Sequence, residues 1–260
     1  MKNIYYMAIT ILLGAVLLTG CAHKKEDREV IFQVSTIDAL LAGIYDQQLL
    51  YEDLMKHGDM GLGTFTDLDG EMIGVNGEFY QIRIDGKAYP VDGSMGTPLA
   101  VVTYFDPDIH TSLSAAQNYE QLQKSIDDLL PTENIFYAVT IDGTFDYLKV
   151  RSVPRQSKPY PPLNEAIKDQ AIFEYHDVTG TVVGFRTPAY MSGLNVPGYH
   201  FHFISQDKKF GGHVMECGIQ SGTVTVDETN GFEMWLPEID TFYKMDLSGD
   251  NSEVLDEVER

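Results

Sequence analysis

Between Gly61 and Tyr104 the chain leaves helical spacing for a run of short, Gly-punctuated alternations, and this stretch limits the fold more than any other. Apolar and polar residues alternate around Phe79, Gln81 and Arg83, while Asp-Gly at 69–70 and 85–86 and Asn-Gly at 76–77 interrupt the runs. Such dipeptides supply the left-handed conformations that tight hairpins need, so the segment predicts a meander of short strands. Upstream, Ser35-Thr36-Ile37-Asp38 has the form of a capping box with Asp in place of Glu, and it opens a helical spacing over 37–45. A second helix is expected over 49–57, closed by Gly58. Downstream, 115–130 predicts an amphipathic helix that stops before Pro131. Strands are expected at 135–141 and 147–150. Four prolines between Val153 and Pro162 mark a linker, and a short helix is expected over 163–173. Strands then return at 179–187, 198–205, 213–219, 223–227 and 232–237, with Asn230-Gly231 turning the last pair. The tail from Ser252 to Arg260 predicts one or two helical turns. The fold class is α+β: two domains, 35–152 and 153–260, built on mixed, mostly antiparallel sheets with a few short helices.

The amino terminus reads as an address. Lys2 precedes a short apolar run from Tyr5 to Leu18, too short to span a bilayer comfortably. Leu18-Thr19-Gly20-Cys21 resembles a bacterial lipobox, which implies a signal peptide over 1–21, cleavage before Cys21 and lipidation of its thiol. Residues 22–34 then form a polar tether, and the chain is lipid-anchored to the cell envelope, with Cys21 its only membrane contact. Ala22 is not the Asp that retains some lipoproteins at the inner membrane. Cys217 is left as the single free thiol, so no intrachain disulfide is expected. The formal charge is −21. So acidic a surface repels phosphate backbones, and nucleic acid is not an expected partner.

Tyr199-His200-Phe201-His202-Phe203 carries the most chemistry. On a strand, residues two apart share a face, so His200 and His202 point one way and Phe201 and Phe203 the other. The polar connection 205–212 leads to His213, which an antiparallel neighbour brings beside the first two. Three imidazoles leave a coordination position open, as a catalytic zinc site does. The spacing names neither the metal nor the reaction, since hydratases, dioxygenases and hydrolases all use such sets. A cupin needs a Glu soon after the second His, where positions 206–208 carry Gln, Asp and Lys. By residue type alone, Glu71 and Glu78 are exposed hairpin carboxylates, Thr64 is a plain strand residue and Arg151 a surface charge.

Gly63-Thr64-Phe65, Leu68-Asp69-Gly70-Glu71-Met72 and Gly77-Glu78-Phe79-Tyr80, together with His200-Phe201-His202 and Gly211-Gly212-His213, resemble the α-acetolactate decarboxylase family. The resemblance runs from about Ser35 to the carboxyl end. It implies decarboxylation of 2-acetolactate, a 2-hydroxy-3-oxo acid, to acetoin at a zinc ion on His200, His202 and His213. It further implies two α/β-type domains and a homodimer formed through the sheet of the first. Thr64 and Glu71 would sit beside the substrate, Arg151 would match the family's active-site arginine, and Glu259 its carboxy-terminal glutamate, with Glu253 and Glu257 close by. Loss of CO₂ from such an acid needs an electron sink, a cation for the carboxylate and a proton donor, which Glu71 or Glu259 would supply. The alternatives are a zinc hydrolase and a non-catalytic, metal-bound envelope lipoprotein of the same fold.

Overall fold

The computed structural model describes residues 29–116 and 118–259; the signal segment, Cys21 and residues 22–28 lie outside the described residues. In chain order the elements begin β1 (Val30–Val34), α1 (Ile37–Leu41), β2 (Leu49–Leu50), α2 (Tyr51–Leu54), β3 (Met60–Thr64), β4 (Glu71–Val75) and β5 (Glu78–Ile82). Next come β6 (Ala88–Pro90), β7 (Gly96–Thr97), β8 (Ala100–Thr103), β9 (Ile109–Leu113), α3 (Tyr119–Asp127) and β10 (Phe136–Ser152). The chain continues through α4 (Leu163–Ala166), β11 (Ala171–Thr187), β12 (Gly198–Ser205), β13 (Gly211–Thr229), β14 (Gly231–Trp235), α5 (Asp240–Tyr243) and α6 (Ser252–Glu259).

The expected meander is present and forms most of a seven-stranded sheet in the order β14-β1-β8-β3-β4-β5-β6. Asn76 and Gly77 both take positive φ, 53° and 78°, between β4 and β5, as a two-residue hairpin demands. A second sheet runs β10-β11-β12-β13-β9, and β10 also pairs with β13, so four of its strands close on themselves. The two sheets pack on a common core in which Ile31, Leu62, Ile73 and Ile82 of the first meet Phe136, Val183, Phe185 and Ile204 of the second.

Several expected boundaries differ. Residues 30–34 are not tether: Ile31, Phe32 and Val34 are buried, and Gln33 donates to the carbonyls of Ser35 and Leu194. The helix expected over 49–57 shrinks to four residues, because Leu49 and Leu50 pair with β7. The one over 115–130 starts only at Tyr119, where Asn118 accepts from the Gln121 amide. The strands at 135–141 and 147–150 are one strand, β10, bulged near Phe145, and 213–219 and 223–227 are likewise one, β13. The helix over 163–173 ends by Asp169, since Ile172, Phe173 and Tyr175 pair along β10 instead. Asn230-Gly231 is no hairpin. It carries the chain from β13 into the other sheet, where β14 runs parallel to β1. For the same reason the sheets do not divide at Val153: β14 joins the first sheet, while β9 and β10 belong to the second.

Candidate metal centre and active site

Strand register assembles the site. His202 of β12 lies directly opposite His213 of β13, and His213 lies directly opposite Arg151 of β10. Opposed residues project from the same face of a sheet, so these three form one cross-strand row, with His200 beside it two residues before His202. Phe201 and Phe203 point into the core on the other face, where both are buried. The three imidazole centroids stand 5.1, 5.0 and 5.3 Å apart, close to an equilateral triangle. One ring nitrogen from each lies within 4.8 Å of the other two, and the trio forms a group able to hold a metal ion.

The hydrogen bonds fit that use. His202 Nδ1 donates to the Met72 carbonyl at 2.8 Å, which leaves Nε2 as a lone pair; this atom is buried with no partner. His213 Nε2 lies 3.4 Å from the Glu259 carbonyl, and its Nδ1 is 3.2 Å from His200 Nε2. Two nitrogens at 2.0–2.1 Å from one tetrahedral ion stand about 3.3 Å apart, so the pair is spaced as two ligands of a zinc-sized cation. Burial, reinforced by the positive charge of Arg151, pushes His200 down to about 3 and holds His202 and His213 well below the usual range. All three are therefore neutral at physiological pH, the form that binds a metal. Among the described residues no carboxylate or thiol joins the trio.

The β3–β4 hairpin supplies the facing wall. Thr64 and Glu71 are its last opposed pair, and the loop 65–70 passes between them. The Thr64 hydroxyl donates to the Gly70 carbonyl at 2.7 Å, closing that loop. Asp67 and Leu68 both hold positive φ within it. Asp67 is fixed there by its amide on the Tyr45 carbonyl, its carbonyl on the Gln156 amide, and its carboxylate on Arg155 and Tyr160. Non-glycine residues persist in this region only when their surroundings dictate it. The result sets Glu71 3.8 Å from His202 Nε2.

Arg151, Glu71 and Glu259 are all buried around the row. Arg151 donates to Gln170 Oε1 at 3.3 Å and lies 3.9 Å from Glu259, while its Nε is buried without a partner. Glu259 ends α6 and approaches His200 Nε2 at 3.5 Å; Glu253 and Glu257, on the same helix, are exposed. Burial pushes Glu71 up to about 7, Arg151 opposing and Glu259 adding to the rise, and burial raises Glu259 as well. These groups line a cavity of ≈ 40 Å³ whose other walls include Ile37, Leu40, Leu68, Leu99, Val153 and Leu163. Thus Thr64, Glu71, Arg151, His200, His202, His213 and Glu259 meet at one place. Gln170, which carries no sequence signal, and the Met72 carbonyl also belong there. Cys217 lies elsewhere, buried and unpaired, its thiol pushed up to about 12.

Comparison with known proteins agrees with this geometry. The family model described as alpha-acetolactate decarboxylase matches residues 31–249. The chain is 50% identical to the alpha-acetolactate decarboxylase of Methanosarcina mazei over 232 residues, 89% of this chain and 81% of that protein. The crystal structure of alpha-acetolactate decarboxylase from Bacillus subtilis strain 168 superposes with a TM-score of 0.86 at 41% identity, covering 88% of this chain and 99% of that one. A Staphylococcus aureus protein described as similar to alpha-acetolactate decarboxylase superposes at 0.82 with 29% identity, covering 88% and 98%. Sequence, fold and the buried row of imidazoles agree, and the chain belongs to the α-acetolactate decarboxylase family.

Proposed function

We propose that the protein is a zinc-dependent carboxy-lyase that converts 2-acetolactate to (R)-acetoin and CO₂. The observation that carries this reading is the meeting of three neutral imidazoles, a buried arginine and two buried carboxyls in one cavity. His200 and His202 through Nε2, and His213 through Nδ1, would hold the ion. When bound, it supplies a Lewis acid for the oxygen on which charge collects as CO₂ leaves.

The remaining steps fall to the chain itself. Arg151 binds the substrate carboxylate, and its unpartnered Nε is a donor free for that purpose. The bond between C2 and the carboxylate carbon breaks as CO₂ leaves, its electron pair moves through the C2–C3 bond onto the ketone oxygen, and C2 then takes a proton. Glu71 is the donor assigned here, with Glu259 the alternative; burial favours the protonated form of both. Leu68, Leu99 and Leu163 keep water from that carbon, so a positioned carboxyl delivers the proton to one face and one enantiomer forms. The test is to load the protein with zinc, supply racemic 2-acetolactate and measure the yield and chirality of acetoin. Chiral acetoin that a chelator abolishes supports the reading. Bound zinc with product only at the spontaneous rate overturns it in favour of a hydrolase or a binding protein.

Two further parts of the reading rest on sequence. Leu18-Thr19-Gly20-Cys21 supports lipid anchoring to the cell envelope through Cys21, outside the described residues. Metabolic labelling with a radiolabelled fatty acid should mark the chain, and Cys21→Ser should abolish the label. Family membership supports a homodimer, which light scattering on the purified protein tests directly.

A further inference from the structure

Loop 65–70 has two faces. Leu68 is buried and lines the metal cavity, while its neighbour Asp67 lines a surface groove with Arg155 and Tyr160. The loop belongs to the first sheet, whose strands β3 and β4 carry Thr64 and Glu71. Arg151 and the histidines stand on the second. The walls of the site therefore come from different sheets, and the placement of Glu71 depends on what joins them. After Glu71, the Met72 carbonyl is held by His202. Before it, the carbonyls of Asp69 and Gly70 accept from Gln81 and Thr64 within their own sheet, whereas Asp67 bonds outward. The Asp67 carbonyl accepts from the Gln156 amide at 2.7 Å. One carboxylate oxygen accepts from Arg155 through Nε at 3.1 Å and through Nη2, and the other accepts from the Tyr160 hydroxyl. The Asp67 amide donates to the Tyr45 carbonyl, and the Tyr45 ring packs on that of Tyr160 with centroids 5.2 Å apart. Arg155, Gln156 and Tyr160 lie on the proline-rich segment that leaves β10 just after Arg151, and Val153 on the way lines the cavity. Asp67 thus bonds the wall holding Glu71 to the chain that continues from Arg151. Asp67 and Leu68 have φ of 64° and 56°. Asp tolerates this left-handed conformation and a bulky Leu does so poorly, so the loop keeps its path only while it is held.

We propose that Asp67, clamped by Arg155 and Tyr160, is a positioning residue: it braces the Glu71 wall against the Arg151 wall and so fixes the direction from which the proton reaches the substrate. This rests on the reading of Glu71 as the proton donor of the decarboxylase reaction. A slack loop leaves the metal-binding group and Arg151 in place on their strands but lets the Glu71 carboxyl wander. Protonation then loses its facial preference, and the acetoin formed loses enantiomeric purity. Asp67→Asn removes the carboxylate and keeps a residue that accepts the left-handed conformation. Arg155→Ala and Tyr160→Phe cut the brace from its other end, at an exposed and a half-buried side chain, without altering the loop.

In the zinc-loaded full chain, Asp67→Asn should keep its metal, hold KM within about twofold, lower kcat about tenfold and lower the enantiomeric excess of acetoin. Arg155→Ala and Tyr160→Phe should move kcat and enantiomeric excess in the same direction, and Arg155→Lys should recover part of both. Combining Asp67→Asn with Arg155→Ala should cost no more than the worse single change, since each cuts the same brace. A merely structural role lowers the amount of folded protein and leaves the chirality of its product alone. Enantiomeric excess unchanged in Asp67→Asn and Arg155→Ala overturns the proposal, as do losses that multiply in the double variant. Should Asp67→Asn not fold, Arg155→Ala and Tyr160→Phe carry the test. If the unsubstituted chain makes acetoin only at the spontaneous rate, the functional reading fails, and amide hydrogen exchange over 65–70 still decides the brace. Exchange faster by about tenfold in Arg155→Ala supports it, and exchange at the unsubstituted rate overturns it.

Discussion

Arg151 and His213 stand directly opposite one another across β10 and β13, and His213 in turn faces His202 across β12. A guanidinium is thereby built into the same cross-strand row as two imidazoles of the group able to hold a metal ion. Its Nη2 also lies 3.9 Å from Glu259. This placement requires a planar donor set, because Gln170 already takes one nitrogen while Nε remains unpartnered. Arg151→Lys keeps the charge and loses the fork. It should retain zinc and lower kcat/KM for 2-acetolactate by roughly 10–100-fold, the loss of one or two charge-assisted bonds. Steady-state kinetics beside metal analysis checks this.

Glu71 sits near His202 without belonging to the metal-binding group. Glu71→Gln preserves shape and removes the transferable proton. Zinc content should be unchanged, and turnover should fall about 10²–10⁴-fold. Normal turnover in this variant removes Glu71 from the donor role and leaves Glu259.

Gly70 tests the loop that sets Glu71. Its φ is +89°, and a Cβ there would lie 2.1 Å from the Ile82 carbonyl oxygen. Backbone oxygen cannot move aside as a flexible side chain does. Gly70→Ala should destabilise the fold by about 1–3 kcal/mol and reduce activity beyond what the melting shift explains, since Glu71 is the next residue. Thermal unfolding read beside kcat separates the two effects.

Asp227 gives stability a pH dependence remote from the site. It is fully buried on β13, one carboxylate oxygen accepts from the Asp106 amide and the other has no partner. Burial pushes it up to about 7, helped by Glu29, Asp108 and Asp106 and opposed by the Asp106 amide. A carboxyl raised above its unfolded value holds a proton that the unfolded chain has released. Its contribution is therefore fully present below about 4 and lost as pH rises to about 7, at up to about 1.4 kcal/mol per pH unit. Asp227→Asn should flatten that limb of a stability–pH curve measured by denaturant unfolding.

Much of this site was legible in the sequence. His-Phe-His on an alternating strand fixed which faces the imidazoles and the phenyl rings take, and the short connection to His213 returned a neighbour to the same row. The β3–β8 meander followed from its turn dipeptides. Thr64, Glu71, Arg151 and Glu259 came from family resemblance, because an isolated strand threonine, a hairpin glutamate and a charge near a proline-rich linker look ordinary by type. What pattern could not supply was long-range pairing. Local spacing does not reveal that 136–152 and 211–229 are single long strands, that β14 crosses to pair parallel with β1, or that Val30–Val34 is taken up as a strand between β14 and β8. Gln170 acts through Arg151, nineteen residues away and on another element, so no motif marks it.

The most direct test of the central claim compares the zinc-loaded protein, the same protein after chelation and His202→Ala on racemic 2-acetolactate, with bound metal measured in each. The account predicts chiral acetoin from the zinc-loaded protein alone, restored to the chelated protein by added zinc, with His202→Ala deficient in metal and product together. Equal product from the chelated protein, or full activity in a metal-free His202→Ala variant, would contradict it.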